Sequence, residues 1–163
     1  MKVYAANSSG VYEYLPEQHN LTTIMTEDRR PSIAQASGNA WASSAPLIIA
    51  VAYVEDSRPW IGGEETYVEV GLIAQTVHLE STAWELISDW RKADADEDAM
   101  REALGLSGET QLHPVSIITV GHPLVYFNLT ISSTIGGTTD PISGTYTYVC
   151  LLYTSPSPRD RTR

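Results

Sequence analysis

The 163-residue sequence predicts a chain in which strands and helices are mixed, of a length that suits one domain. Leu47–Val54 is a continuous apolar run of strand length, which is typical of a strand that is buried on both faces, and the largely apolar run of residues 115–120 is a second candidate. Between these two runs, residues 64–86 carry apolar side chains at helical spacing. The chain is therefore expected to combine buried sheet strands with a long helix.

Shorter elements are expected before the first buried strand. Residues 2–6 alternate at a period of two, and residues 11–15 and 21–24 flank a turn cluster, which predicts a hairpin. Residues 31–43 have a helix-like pattern, and Pro31 suits the first turn of a helix.

The helix predicted over residues 64–86 is apolar on two faces. The first face carries Tyr67, Val70, Gly71, Ala74, Val77 and His78. The second face carries Val68, Leu72, Leu79 and Ala83. A helix that is apolar on two faces is buried on two sides, and in so small a domain the second side could be covered by a partner subunit.

A loop is expected over residues 88–94, followed by a short, well-marked helix. Asp94 is the predicted N-cap with Glu97 at N3, while Gly105 fits the left-handed position after the helix and Leu106 the apolar contact beyond it. The acidic residues could also be taken for a metal site. Capping is the favoured interpretation, because acidic residues in a first turn are the ordinary pattern.

Composition excludes several classes of function. The chain has 10 basic and 20 acidic residues, whereas a nucleic-acid surface needs clustered Lys and Arg. No apolar run approaches the roughly 20 residues of a membrane span, and no signal-peptide pattern opens the chain. The four histidines lack metal-ligand spacing, so no metal site is expected. These observations predict a cytoplasmic protein with neither nucleic-acid nor membrane partners.

The C-terminal part falls into two segments. Residues 124–149 are rich in Thr, Ser and Gly with β-type alternation, and they are interpreted as an extension of uncertain origin. Residues 150–163 resemble the conceptual translation of a sequencing adapter and are interpreted as a non-biological tail. This tail contains Cys150, which is the single cysteine of the chain.

The order of motifs between residues 67 and 123 resembles the second half of the nitroreductase-like FMN flavoproteins. In the long helix the matching residues are Tyr67, Gly71, Ala74, Gln75, Leu79 and Ala83. In the short helix and the following strand they are Glu97, Arg101, Leu104, Gly105, Leu106, Thr119, Val120, Gly121 and Pro123. Residues 10–21 are similar to the hairpin of one branch, which includes the dehydrogenases that oxidise peptide azolines. The resemblance covers about residues 2–123, which are interpreted as a partial domain.

This resemblance implies an α+β fold with a central, mostly antiparallel sheet flanked by helices. It implies a homodimer formed through helix 65–84, with FMN bound at the interface and hydride transferred through the flavin N5 from NAD(P)H or from substrate. The substrate would be a small molecule or a peptide. The alternatives are a non-catalytic dimerisation or scaffold domain of the same fold that does not bind FMN, and an unrelated small α/β binding domain.

Site residues follow from the same resemblance. Lys92, Ala93 and Asp94 correspond to the loop that presents backbone groups to the flavin ring, and Ala93 keeps an N–H donor there. The alternative is a solvated loop. Two further positions, Gly121 and His122, lie at the expected cofactor edge. The substrate pocket is assigned to Trp60 and Tyr67, whereas the catalytic residues are not identified.

The sequence also departs from the family pattern. Its N-terminal Arg-Arg-Ser-type phosphate motif has no counterpart, and no Lys or Arg occurs between Arg101 and Arg159. A phosphate needs fixed positive charge or a helix N-terminus. The chain is therefore interpreted as a fragment of a longer flavoenzyme that is incomplete at both ends, and its activity in isolation is left open.

Overall fold

The computed structural model describes residues 1–55, 64–93, 96–123, 125–133, 137, 142 and 144–150. The chain divides into two units, Met1–His122 and Pro123–Arg163, and each is described by itself. Trp60 and Asp94 of the predicted site and residues 151–163 of the predicted tail lie outside the described residues.

The first unit is built on a six-stranded sheet in which all neighbouring strands are antiparallel. The strands are β1 (Lys2–Asn7), β2 (Gly10–Leu15), β3 (Asn20–Met25), β4 (Leu47–Val54), β5 (Ile87–Lys92) and β6 (Leu112–Gly121). Their order across the sheet is β3-β2-β1-β4-β6-β5. This confirms the predicted mixture of helices with a mostly antiparallel sheet, including the hairpin β2–β3.

Helices cover both faces of the centre of the sheet. They are α1 (Arg30–Ala36), α2 (Glu64–Ala83) and α3 (Glu97–Ala103), and a 3₁₀ turn spans Ala40–Ser44. Ile33 of α1 and Met100 of α3 belong to one buried core, whereas Val70 of α2 belongs to a second. Strand β4 contributes Ile48 to the first core and Val51 to the second, which confirms that it is buried on both faces.

The helix predicted over residues 31–43 is shorter than expected. It ends at Ala36, and Gly38 follows with a φ of +73°, a left-handed conformation that interrupts the helix before the separate 3₁₀ turn. Pro31 does lie in the first turn, as predicted.

The caps of α3 correct one prediction and confirm another. The N-cap is Asp96 and not Asp94, because the Asp96 carboxylate accepts hydrogen bonds from the N–H groups of Asp98 and Ala99. At the other end Gly105 has a φ of +78°. Its N–H donates to the carbonyl of Glu102, and the next N–H, of Leu106, donates to the carbonyl of Arg101, so the helix ends in a Schellman motif as predicted.

Helix α2 buries one face and exposes another. Val70 and Ala74 are buried against the sheet, whereas Val68, Leu72 and Leu79 on the opposite face are exposed. We call these last three residues the α2 outer face. The described part of the chain therefore buries one face of α2 by itself and leaves the other face exposed.

The second unit contains one antiparallel pair, β7 (Val125–Ile131) with β8 (Gly144–Cys150). The hydroxyls of Thr130 and Thr145 lie 3.3 Å apart across this pair. The β-type alternation of residues 124–149 therefore does correspond to strands.

Candidate functional site

The residues predicted to contact the flavin lie at the C-terminal end of β5. This segment was expected to be a loop, but residues 87–92 form an edge strand that pairs with β6, with Lys92 opposite Ser116. The pairing continues one residue further, where the N–H of Ala93 donates to the carbonyl of Val115 at 2.9 Å. The donor that the prediction assigned to the flavin is therefore used by the sheet.

Gly121 and His122 lie at the opposite end of the same strand pair. Ile87 at the start of β5 pairs with Gly121, five register positions away from the Lys92–Ser116 pair. At about 3.4 Å per residue these positions are about 17 Å apart. The structure does not bring the two halves of the predicted cofactor site together.

Gly121 also has a packing role. A Cβ at this position would lie 2.9 Å from Cδ of Pro46, so only a glycine allows this close approach. This contact with Pro46 is sufficient to explain a glycine at position 121, and no contact with a cofactor is needed to explain it.

Tyr67 lies in the first turns of α2 with about half of its side chain exposed. It is not part of the core. Burial of Tyr53 raises the pKa of its phenol, with further contributions from Glu97, Glu55 and, in last place, Tyr67. Tyr67 therefore lies near Tyr53, at the end of the sheet where β4 terminates.

At that end of the sheet a polar cluster surrounds His113, which sequence reasoning did not single out. The His113 ring stacks on Tyr53, its partner in the β4–β6 register, with ring centroids 4.7 Å apart and planes 14° apart. Its Nδ1 lies 2.8 Å from Oε2 of Glu97, and its Nε2 lies 3.5 Å from Oε2 of Glu55. The imidazole therefore sits between two carboxylates from different elements.

Arg101 connects this cluster to the interior. Its guanidinium donates to the carbonyl of Leu112 at 2.7 Å and contacts Glu97 at 3.4 Å, and it also pairs with Asp98. The hydrogen bond with Asp98, followed by the other carboxylate contacts, raises the pKa of Arg101 above its ordinary value. Arg101 is 8% exposed, and its hydrogen bond to the carbonyl of Leu112, the first residue of β6, ties α3 to that strand.

His78 is satisfied within the fold, as the simpler interpretation of its position predicted. Its Nδ1 lies 2.5 Å from the hydroxyl of Ser88 on β5, and both residues are half-buried. The contact fastens α2 to the edge strand.

The phosphate of a flavin mononucleotide needs a basic side chain that is available to bind it, so the contacts of the described basic residues decide whether they fit this group. Lys2 pairs with Glu13, Arg30 with Asp28 and Arg91 with Asp89, at distances of 2.6 to 2.9 Å. Arg29 donates to the carbonyls of Ala103 and Glu102 at the end of α3, Arg101 is held as above, and Lys92 is engaged as well.

The N-termini of α2 and α3 offer no better site, because both begin with acidic residues. Within the part of the chain that the structure describes, no basic side chain is left over for a phosphate. The described residues do not fit this part of FMN.

A cleft of about 530 Å³ lies between α1 and α3, on the opposite side of the sheet from α2. It is lined by Arg29, Ser32, Gln35, Ala36, Gly38, Asp96, Ala99, Glu102 and Ala103. None of the predicted site residues that the structure describes lines this cleft. Within the described ranges no group of His, Cys, Asp or Glu could hold a metal ion, and no helix is long and apolar enough to cross a membrane.

The sequence is similar to a nitroreductase, although no family model matches the chain. A curated protein of Methanocaldococcus jannaschii that is described as a nitroreductase is 35% identical over 79 residues. The match covers 45% of this chain and 40% of that protein. The chain therefore spans less than half of the curated relative that it matches.

The fold is similar to solved structures at low sequence identity. A protein of Ralstonia eutropha described as a nitroreductase superposes with a TM-score of 0.60 at 22% identity, covering 74% of this chain and 57% of that one. The Escherichia coli McbBCD microcin synthetase complex with truncated pro-MccB17 bound matches with a TM-score of 0.62 at 14% identity, covering 75% and 51%. The architecture of this chain, with its six-stranded antiparallel sheet and three helices, is a nitroreductase-like fold.

Proposed function

We propose that this chain is part of an FMN-dependent oxidoreductase in which the flavin N5 passes hydride between NAD(P)H or substrate and an acceptor. The observation that carries the proposal is the 35% identity over 79 residues to a protein described as a nitroreductase, in a chain whose fold is nitroreductase-like. The similarity in sequence and the similarity in fold both support this proposal. The flavin supplies the redox chemistry, and the protein binds and orients it.

The flavin ring is proposed to lie at the Lys92–Ala93 end of β5, with Tyr67 nearby in the substrate pocket. The observation in favour is that Tyr53, Tyr67 and His113 also gather at this end of the sheet. The phosphate is expected to find its partners outside the described residues, because their cations are already engaged. Gly121 and His122 remain proposed contacts for a part of the cofactor that lies away from the flavin ring.

The intact enzyme is proposed to be a homodimer that pairs through the α2 outer face. Val68, Leu72 and Leu79 are each more than 60% exposed, and Trp84 just beyond the helix is 74% exposed. Contiguous exposed apolar side chains of this kind mark an interaction surface. A second copy would cover the face that the first copy leaves in water.

The substrate class is proposed to include peptides, as in the azoline-dehydrogenase branch. The similarity of fold to a synthetase complex with truncated pro-MccB17 bound supports this class. The scaffold alternative has no observation of its own in favour of it.

A comparison of FMN with riboflavin tests the proposal, because the two flavins share the ring and differ in the phosphate. Titration of either flavin into the purified chain, followed by flavin fluorescence, is expected to show binding of both with dissociation constants within about threefold. A built phosphate site would favour FMN about tenfold or more, since charge-assisted hydrogen bonds are strong. If neither flavin binds, the oxidoreductase proposal for this chain is wrong.

A further inference from the structure

The outer edge of β5 is open to another strand at Ser88 and Trp90 in the part of the chain that the structure describes. In the part of the chain that the structure describes, β5 is the last strand on its side of the sheet and pairs only with β6. An antiparallel strand turns the N–H and C=O groups of alternate residues towards the same neighbour. A single backbone hydrogen bond between β5 and β6 therefore shows, for each residue of β5, whether its N–H and C=O groups point towards β6 or away from it.

Two contacts fix this alternation. The N–H of Ala93 donates to Val115, so Arg91, Asp89 and Ile87 also direct their backbone groups towards β6. The Thr119 hydroxyl, which contacts the carbonyl of Asp89 at 3.4 Å, is consistent with this direction. It follows that Ser88, Trp90 and Lys92 direct their backbone groups away from β6. Of these, the carbonyl of Lys92 already accepts from Nδ2 of Asn39 at 3.5 Å.

The charges of β5 are arranged to suit a second copy of the same strand. In an antiparallel pair formed by two outer edges, the residues that face each other must be those with outward backbone groups. If Trp90 faces Trp90 of the second copy, each Asp89 lies opposite an Arg91. If the register shifts so that Ser88 faces Trp90, the two Asp89 side chains oppose each other, and like charges directly opposite are unfavourable.

We propose that two copies of this chain associate through the outer edges of β5, in the antiparallel register that places Trp90 on the two-fold axis. The side chains of Asp89 and Arg91 already form a pair at 2.8 Å within one strand, with 46% and 55% of their surfaces exposed. Across the two-fold axis they form a network of four alternating charges. Arg91 also lies over the Trp41 ring, with its Cζ 5.8 Å from the ring centroid.

Charge-swap variants test this association by analytical ultracentrifugation. The experiments use the full chain with Leu72→Glu and Leu79→Glu, so that any pairing through the α2 outer face is removed and the two interfaces are distinguished. Asp89→Arg is expected to raise the dissociation constant of the dimer about tenfold or more, because it places Arg91 opposite an arginine. The double variant Asp89→Arg with Arg91→Asp restores the opposite charges and is expected to return the constant to within about threefold.

A second pair of variants tests the backbone geometry. Trp90→Pro removes an N–H that points away from β6, so circular dichroism is expected to show an intact fold while the dimer is lost. Trp90→Ala keeps the N–H and is expected to retain the dimer. A monomer at all concentrations in the parent protein, a dimer that Asp89→Arg leaves unchanged, or a double variant that fails to recover would each overturn the proposal.

Discussion

Nδ1 of His113 lies 2.8 Å from Oε2 of Glu97, a contact that joins β6 to the first turn of α3 across sixteen residues. Glu97 also contacts Arg101, so its carboxylate contacts both the guanidinium of Arg101 and the imidazole of His113. The arrangement means that α3 is held by its side chains as well as by its apolar face.

Replacing this carboxylate is expected to destabilise the fold. Glu97→Gln keeps the shape of the side chain but removes the charge that faces His113 and Arg101, and we expect the free energy of unfolding to fall by about 1 kcal/mol. Urea denaturation measures the change. Glu102→Gln on the exposed side of the same helix is the control and is expected to stay within about 0.5 kcal/mol of the wild type. Equal effects of the two substitutions would contradict the role assigned to Glu97.

The contribution of Arg101 is expected to exceed that of an exposed arginine. Arg101→Met leaves the carbonyl of Leu112 and the carboxylate of Glu97 without their cation, and we expect a loss of about 2 kcal/mol in the free energy of unfolding. Arg91→Met removes an exposed pair with Asp89, and the expected loss is below about 1 kcal/mol. The two variants are compared by chemical denaturation, and a larger loss for Arg91→Met would show that the burial of Arg101 does not matter.

Gly105 is expected to be intolerant of a side chain. Its φ is +78°, and a Cβ would lie 2.6 Å from Sδ of Met25. We expect Gly105→Ala to cost about 1 to 2 kcal/mol, whereas Gly108→Ala, where a Cβ meets nothing within 4 Å, serves as the control. Thermal unfolding measures both. Adding Met25→Ala to Gly105→Ala removes the clash but not the backbone strain, so the two substitutions are expected to be non-additive.

The α2 outer face is expected to control assembly without contributing to the stability of the monomer. Leu72→Glu with Leu79→Glu is expected to reduce the mass seen by light scattering while the helical circular dichroism is unchanged, because both side chains are already exposed. The matched control is Leu21→Glu, which alters an exposed leucine on β3. A control that dissociates the protein equally well would refute a specific role for α2.

Alkaline pH is expected to weaken the fold through Tyr53. Because its pKa is raised above 10.0, the folded chain holds the phenolic proton more tightly than the unfolded chain does. The resulting stability is present below about pH 10 and is lost as the pH rises through the folded value. Tyr53→Phe keeps the ring on His113 and should flatten the decline measured by urea unfolding between about pH 8 and pH 11. Tyr12→Phe is the control, and a decline in Tyr53→Phe as steep as in Tyr12→Phe would contradict the prediction.

Apolar patterning predicted the centre of this fold well. The continuous run of β4 and the helical spacing of α2 reflect burial, and burial is what such patterns report. Strand β5 was mistaken for a loop because Ser, Asp, Trp, Arg and Lys at an open edge show no apolar alternation. The N-cap of α3 was placed two residues early, since Asp94 and Asp96 are equally good capping residues when only local sequence is considered.

The polar cluster could not have been predicted in the same way. Glu55, Glu97 and His113 are far apart in the sequence, and only the register of β4 with β6 and the packing of α3 bring them together. Local patterns contain no information on such pairs. Conversely, Ala93 was assigned a free N–H because the pairing of its neighbours with β6 was not anticipated.

The order of strands also has a consequence for how the chain folds. Strands β1, β2 and β3 are consecutive and connect through short turns, so their pairing closes only small loops. Strands β4 and β6, which carry both cores, meet only after about sixty intervening residues have been spanned, and the entropy of closing so long a loop slows their contact. The three strands β1–β3 are therefore free to pair early, while the most buried pair of strands, and the His113 cluster at its end, assemble late.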